Sequence, residues 1–173
     1  IRFKERTNKI GDVIFAVENL TTAGAFEDLS FELHEGEILG VSGLVGAGRT
    51  EMARAIFGID KSDSGAITIG GKKLPMPRSP KEALKLGIAM IPQELNLVPE
   101  ASVAENIFLG NEQQSAGGMI RWSEVQKKAT EVLEGLGVSM DVGMQVKKLS
   151  ASYQQLVLIA RSLAYNPKVL ILD

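Results

Sequence analysis

The 173-residue chain contains no cysteine, which excludes a disulfide framework and any thiolate metal site. It also has no run near the roughly 18 uncharged apolar residues that a spanning helix needs. The opening Ile1-Arg2-Phe3-Lys4-Glu5-Arg6-Thr7-Asn8-Lys9 lacks the apolar core of a signal peptide and reads as a charged linker. A basic excess is missing too, and the net charge of −2 argues against a nucleic-acid scaffold. No repeat or low-complexity tract is visible. The single histidine, His34, reads as a strand-surface residue. What is present is a 45% apolar composition, enough for one domain with a real core.

The most informative stretch is Gly43-Leu44-Val45-Gly46-Ala47-Gly48-Arg49-Thr50. It has the spacing of a P-loop with arginine in place of lysine. The apolar run Ile38-Leu39-Gly40-Val41-Ser42 precedes it as an expected strand, and Glu51 to Phe57 follows with helical character. Gly43, Gly46 and Gly48 permit positive φ and close approach to an anion. The backbone N–H groups are then expected to form a nest at a helix N-terminus, where negative charge is favoured. Thr50 stands where a hydroxyl can ligate Mg²⁺.

Along the chain, Val13 to Val17 and Leu29 to Leu33 read as β-strands, the second alternating as a half-exposed antiparallel strand does. Gly58 is expected to close the helix after the P-loop. A turn at Asp63-Ser64-Gly65 leads into a strand, Ala66 to Ile69, and the Gly70-Gly71 turn. Ser79-Pro80-Lys81-Glu82 predicts a capped helix stopped by Gly87; Ser102 to Glu105 and Ser123 to Gln126 predict two further capping boxes. Met119, Ile120 and Trp122 are expected in the core of a small helical subdomain. A helix after Leu149 should end at Asn166-Pro167. The run Val169 to Leu172 predicts a central parallel strand covered on both faces, which places Asp173 at its C-terminal edge.

With these motifs in order, the chain resembles an ATP-binding cassette (ABC) domain. Ile91-Pro92-Gln93-Glu94 matches the Q-loop, Leu149-Ser150-Ala151-Ser152-Tyr153-Gln154-Gln155 is a variant of the signature Leu-Ser-Gly-Gly-Gln, and Val169 to Asp173 matches Walker B. The stretches Gly87 to Glu100 and Ser102 to Gly110 resemble bacterial monosaccharide importers of the ribose, galactose and xylose type, whose ATP-binding subunit carries two cassettes in tandem. The P-loop and Asn19 to Phe26 resemble the second cassette, and the segment around Gln93 the first. The chain therefore reads as a mosaic of the two or as a divergent second cassette.

The resemblance implies an α/β P-loop NTPase core with a parallel sheet, an antiparallel β subdomain on its N-terminal side and a helical subdomain at about residues 93–148. Residues 1–11 would be linker and 12–173 the nucleotide-binding domain, with its C-terminal part missing. It implies ATP and Mg²⁺ as cofactors. Nucleotide contacts fall to Gly43, Leu44, Val45, Gly46, Ala47, Gly48, Arg49, Thr50, Ser150, Ser152 and Gln154, metal contacts to Thr50, Gln93 and Asp173, and catalytic roles to Gln93 and Asp173. The implied partners are a second cassette, as a homodimer or in tandem, membrane permease subunits and, indirectly, a periplasmic sugar-binding protein. The implied location is peripheral, on the cytoplasmic face of the inner membrane, with no nucleic acid.

Several residues depart from the family pattern. Arg49 keeps the lysine's charge but is bulkier and is not interchangeable with it. Ala151 and Ser152 stand where glycines let backbone amides approach a γ-phosphate. The adenine-stacking aromatic has no clear counterpart, since Phe26 aligns better with a core position. The general-base glutamate expected after Asp173 and the later switch histidine lie beyond the stretch, so the stretch alone is expected to be inactive. The alternative function is a degenerate cassette that binds nucleotide in a structural or regulatory role. A guanine-nucleotide switch is disfavoured because Asn8-Lys9-Ile10-Gly11 lacks the required aspartate and precedes the P-loop. A repair or translation factor would be expected to carry insertions absent here.

Overall fold

The structure is a computed structural model that describes residues 10–111 and 120–173. The chain divides after Leu86 into two compact units. The expected core residue Met119 and part of the expected linker, residues 1–9, lie outside the described residues.

The first unit is built on one antiparallel sheet. Strands β1 (Val13–Thr22), β2 (Phe26–His34), β3 (Ser64–Ile69) and β4 (Lys72–Pro75) run in the order β2-β1-β3-β4. Alternation in β2 turns Leu29, Phe31 and Leu33 inward while Ser30 and Glu32 stay exposed, as period-two geometry demands. Phe31 meets Phe15 of β1 with ring centroids 6.3 Å apart and planes tilted by 55°, a favourable aromatic arrangement. Phe15, Val17, Leu20 and Ile67 are buried beneath the sheet. Strand β4 was not expected, because Lys72 and Lys73 carry no hydrophobic signal. It forms by ladder bonds to β3, from Ala66↔Pro75 to Ile69↔Lys72. His34 ends β2 at the surface, its Nδ1 at 3.0 Å from the Gly11 carbonyl.

Two helices join this sheet. Helix α1 (Arg49–Ile56) buries Ala53, Ala55 and Ile56, and Gly58 follows it at φ 76°. Helix α2 (Pro80–Lys85) starts as expected: Ser79 Oγ accepts the Glu82 N–H at 3.3 Å, and Pro80 occupies the first turn. A side chain at Gly58 would lie 2.8 Å from the Ser79 nitrogen. Glycine therefore lets the end of α1 abut the start of α2.

The expected strand at residues 38–42 is not formed. It has no ladder partner among the described residues, and Ile38 is 89% exposed. An apolar run becomes a strand only when a neighbouring backbone accepts and donates its hydrogen bonds.

The second unit pairs two strands with a helical cluster. Strands β5 (Ile88–Ile91) and β6 (Val169–Leu172) run parallel in register from Ile88↔Val169 to Ile91↔Leu172. Helices α3 (Val103–Ile107), α4 (Trp122–Gly135) and α5 (Ala151–Leu163) and the 3₁₀ turn Val146–Lys148 close around Val103, Ile107, Val125, Leu133, Val146 and Val157, all nearly solvent-free. Each such side chain contributes about 1.5–3 kcal/mol on burial.

Three expectations need correction here. The helix α4 begins at Trp122, so Ser123 is already inside it, and Arg121 binds Glu124 at 2.8 Å instead. Trp122 is 46% exposed, while Ile120 does pack on the helical core. Strand β6 is not covered on both faces: Val169 and Ile171 are buried or half-buried on one face, while Leu170 and Leu172 on the other are exposed, Leu172 to 73%.

Candidate functional site

The glycine loop takes its shape from two left-handed residues. Gly46 has φ 82° and Gly48 φ 76°, a region that side-chain-bearing residues enter only at a cost of about 1–2 kcal/mol. Gly43 is not among the positive-φ glycines, contrary to expectation. Its constraint is space: an added Cβ would stand 3.0 Å from that of Ala47. The Ala47 N–H closes a turn on the Leu44 carbonyl at 3.1 Å, and the Gly48 carbonyl accepts the Met52 N–H at 2.8 Å to start α1. Leu44 and Val45 are exposed, and no atom lies within 4 Å of an ideal Cβ at Gly46. The loop is thus exposed to solvent and ends at the positive pole of a helix, which suits a phosphate chain.

Gly48 is held from below. Its missing Cβ would meet the Ala25 carbonyl oxygen at 2.8 Å and the Phe26 ring at 3.1 Å. The short turn between β1 and β2 therefore braces the loop, a contact the sequence did not suggest. Phe26 is half-buried against Gly48. Further along α1, Arg54 grips Asp60 through both oxygens, at 2.6 and 2.9 Å. This bond holds the Asp60 carboxyl below its ordinary range, against the opposing effect of desolvation. Arg49 and Thr50 open the helix at exposed positions.

In the second unit, parallel register carries Gln93 and Asp173 to one sheet edge. Asp173 directly follows β6, and its N–H donates to the Ile91 carbonyl at 3.1 Å. Gln93 stands two residues beyond Ile91, also exposed. The carboxyl ends of parallel strands are where α/β sheets present ligand-binding groups. Among the described residues, no three His, Cys, Asp or Glu side chains gather. Mg²⁺ fits such a sparse donor set, because it is usually held by one or two protein oxygens together with phosphates and water.

The signature segment opens α5. Ser150 is the N-cap residue without a side-chain cap bond, and Ser152 is exposed in the first turn. The Gln154 amide nitrogen donates to the Val146 and Leu149 carbonyls at 3.3 and 3.2 Å. Its amide therefore fixes the turn that precedes the helix.

Sequence reasoning also missed Asn106. It is fully buried inside α3, and an asparagine of poor helix propensity between Ala104 and Ile107 was the signal available. Its Oδ1 accepts the Val98 N–H at 2.7 Å, and its Nδ2 faces the carbonyls of Val98, Ala101 and Ser102 at 3.0, 3.4 and 2.9 Å.

A glycine loop feeding a helix, an antiparallel sheet beside it and a parallel pair ending on Gln93 and Asp173 define the ATP-binding-cassette class of α/β domain. The chain belongs to the ABC transporter family, whose sequence model matches residues 26–173. It is 42% identical, over 99% of its length and 36% of the relative's, to "Ribose import ATP-binding protein RbsA" of Bacillus cereus. It is 40% identical, over 99% of its length and 33% of the relative's, to a "Putative ribose/galactose/methyl galactoside import ATP-binding protein 1" of Rhizobium etli. The chain thus spans about a third of the length of the curated relatives it matches. Among solved structures, cbiO1 of Clostridium perfringens, part of the ABC transporter complex cbiONQ, superposes with a TM-score of 0.72. The two are 27% identical, over 94% of this chain and 65% of that one.

Proposed function

We propose that this chain is part of the ATP-binding subunit of a sugar importer of the ribose class. The observation that carries the reading is the open loop with left-handed Gly46 and Gly48 at the start of α1. The likeness to ribose-import ATP-binding proteins over 99% of the chain supports the substrate class. In this reading the backbone from Gly43 to Thr50 binds the phosphates of ATP, and Arg49 adds positive charge. Thr50 in the first unit, and Gln93 and Asp173 in the second, would each offer an oxygen to Mg²⁺, and Gln93 and Asp173 would orient the attacking water. Bound Mg²⁺ supplies charge neutralisation during phosphoryl transfer. Ser150, Ser152 and Gln154 shape the surface offered to a second cassette. The subunit works on the cytoplasmic face of the membrane, against permease subunits that receive sugar from a periplasmic binding protein.

The second reading is a cassette that binds nucleotide without hydrolysing it. Arg49 favours it, since a planar guanidinium at the first residue of α1 replaces a compact ammonium.

The test is uptake of radiolabelled ribose into proteoliposomes holding the full-length subunit with its permease and binding protein. Uptake that requires Mg·ATP and is lost in Gly48→Val supports the importer reading. Nucleotide binding without turnover or uptake supports the second. Absence of Mg·ATP binding in calorimetry overturns both.

A further inference from the structure

The loop after Gln93 is anchored from two helices. Asn106 of α3 grips it from inside, pairing with both the N–H and the carbonyl of Val98. Arg161 of α5 reaches its other end, donating through Nη1 to the Asn96 carbonyl at 3.2 Å. A buried asparagine with all its polar atoms committed to one loop is costly to displace, because each group orphaned by the move stays buried without a hydrogen-bond partner. The loop therefore moves with its anchors.

The same loop is bonded to the segment that leads into the signature. Lys147 N–H donates to the Pro99 carbonyl at 3.0 Å and Val146 N–H to the Ala101 carbonyl at 3.0 Å. Gln145 Nε2 donates to the Glu100 carbonyl at 3.0 Å, and Lys147 pairs with the Glu100 carboxylate. From there Gln154 Nε2 takes the Val146 and Leu149 carbonyls. A continuous set of hydrogen bonds thus runs from the loop after Gln93 to the first turn of α5.

We propose that Asn106 is a positioning residue which, with Arg161, holds the loop 95–101 rigidly against residues 145–149, so that a push on the loop is delivered to the signature turn. The proposal rests on the importer reading for the source of the push, a permease segment seated on the loop. The tether itself is a property of this chain alone.

Asn106→Asp tests it in the full-length ATP-binding subunit. The change keeps the shape and the Val98 acceptor but replaces the Nδ2 donor with an oxygen facing three carbonyls. Hydrogen exchange measured by mass spectrometry should quicken in residues 96–102 and also in 145–150, with α4 unaffected. Quickening confined to 96–102, or spread equally over α4, overturns the proposal. In the complex with the permease, Mg·ATP affinity should stay unchanged while sugar-stimulated hydrolysis falls by about fivefold or more, the scale of a coupling between sites. Stimulation retained in the folded variant overturns it. Where Asn106→Asp does not fold, Arg161→Ala at the outer anchor carries the same two readouts, and Arg161→Lys should restore them. A wild-type complex without any permease stimulation removes the importer reading, while the exchange pattern still decides the tether.

Discussion

At Gly48 two constraints act on one position: a left-handed φ and a carbonyl oxygen 2.8 Å from any Cβ. Gly46 shares the first constraint but has open space around it. Replacing Gly48 with valine should therefore weaken Mg·ATP binding at least tenfold, about 1.4 kcal/mol, and Gly46→Ala should cost clearly less. Calorimetry giving equal affinities for both variants and the unmodified protein would remove the loop from the binding site. Arg49 is a separate test. In the full-length subunit, Arg49→Lys should raise the single-turnover rate of ATP hydrolysis with little change in affinity, because an ammonium reaches the phosphates as a point charge. Rapid-quench kinetics with no gain in rate would show that arginine serves this loop as well as lysine. The glycine loop was legible because a left-handed backbone writes glycine into the sequence. The brace from Ala25 was not, since a main-chain oxygen has no residue code. Asn106 was equally hidden, as its partners are the backbone of a loop eight residues away in sequence.

Two of the three expected caps form, at Ser79 and Ser102, and the one at Ser123 does not. The box at α3 forms completely: Ser102 Oγ accepts the Glu105 N–H at 3.2 Å, and the Glu105 carboxylate accepts the Ser102 N–H at 2.7 Å. Hydrogen bonds received by the Glu105 carboxylate, first from the Ser102 side chain and then from its backbone N–H, lower the Glu105 pKa from its ordinary 4.5. A carboxyl lowered on folding stabilises the protein above its unfolded pKa, and this contribution fades as pH falls through the folded value. Chemical denaturation should show that fading below about pH 4.5, and Ser102→Ala should flatten it while costing about 1 kcal/mol at neutral pH. Unchanged acid sensitivity in Ser102→Ala would assign it to other carboxylates. In the helical core, Leu133→Ala should cost about 2–5 kcal/mol, checked by the urea midpoint. Strands were less legible than caps. Residues 38–42 have the apolar pattern of a strand without a ladder, and β4 has a ladder without the pattern. Pairing depends on a neighbour that local sequence does not encode.

The two units carry different parts of the proposed machinery, the glycine loop before Leu86 and the Gln93 and Asp173 edge after it. In the loop after Gln93, Leu95 and Val98 are about 40% exposed, whereas Leu97 packs on the helical core. Single cysteines at Leu95 or Val98 are thus the informative probes in a stretch that has no cysteine of its own. They should cross-link to cytoplasmic loops of the cognate permease, and one at Val13 on the sheet should not. The reverse pattern would move the contact to the first unit. One feature of the second unit limits how its edge can vary. The Gly87 carbonyl accepts both the Lys168 and Val169 N–H groups, and Ile91 accepts that of Asp173, so both strands are pinned at each end. The pair is a length gauge: apolar exchanges within Ile88–Ile91 leave the spacing intact. Deleting one residue there would draw Gln93 back by about 3.3 Å relative to Asp173 and reverse the face on which it emerges.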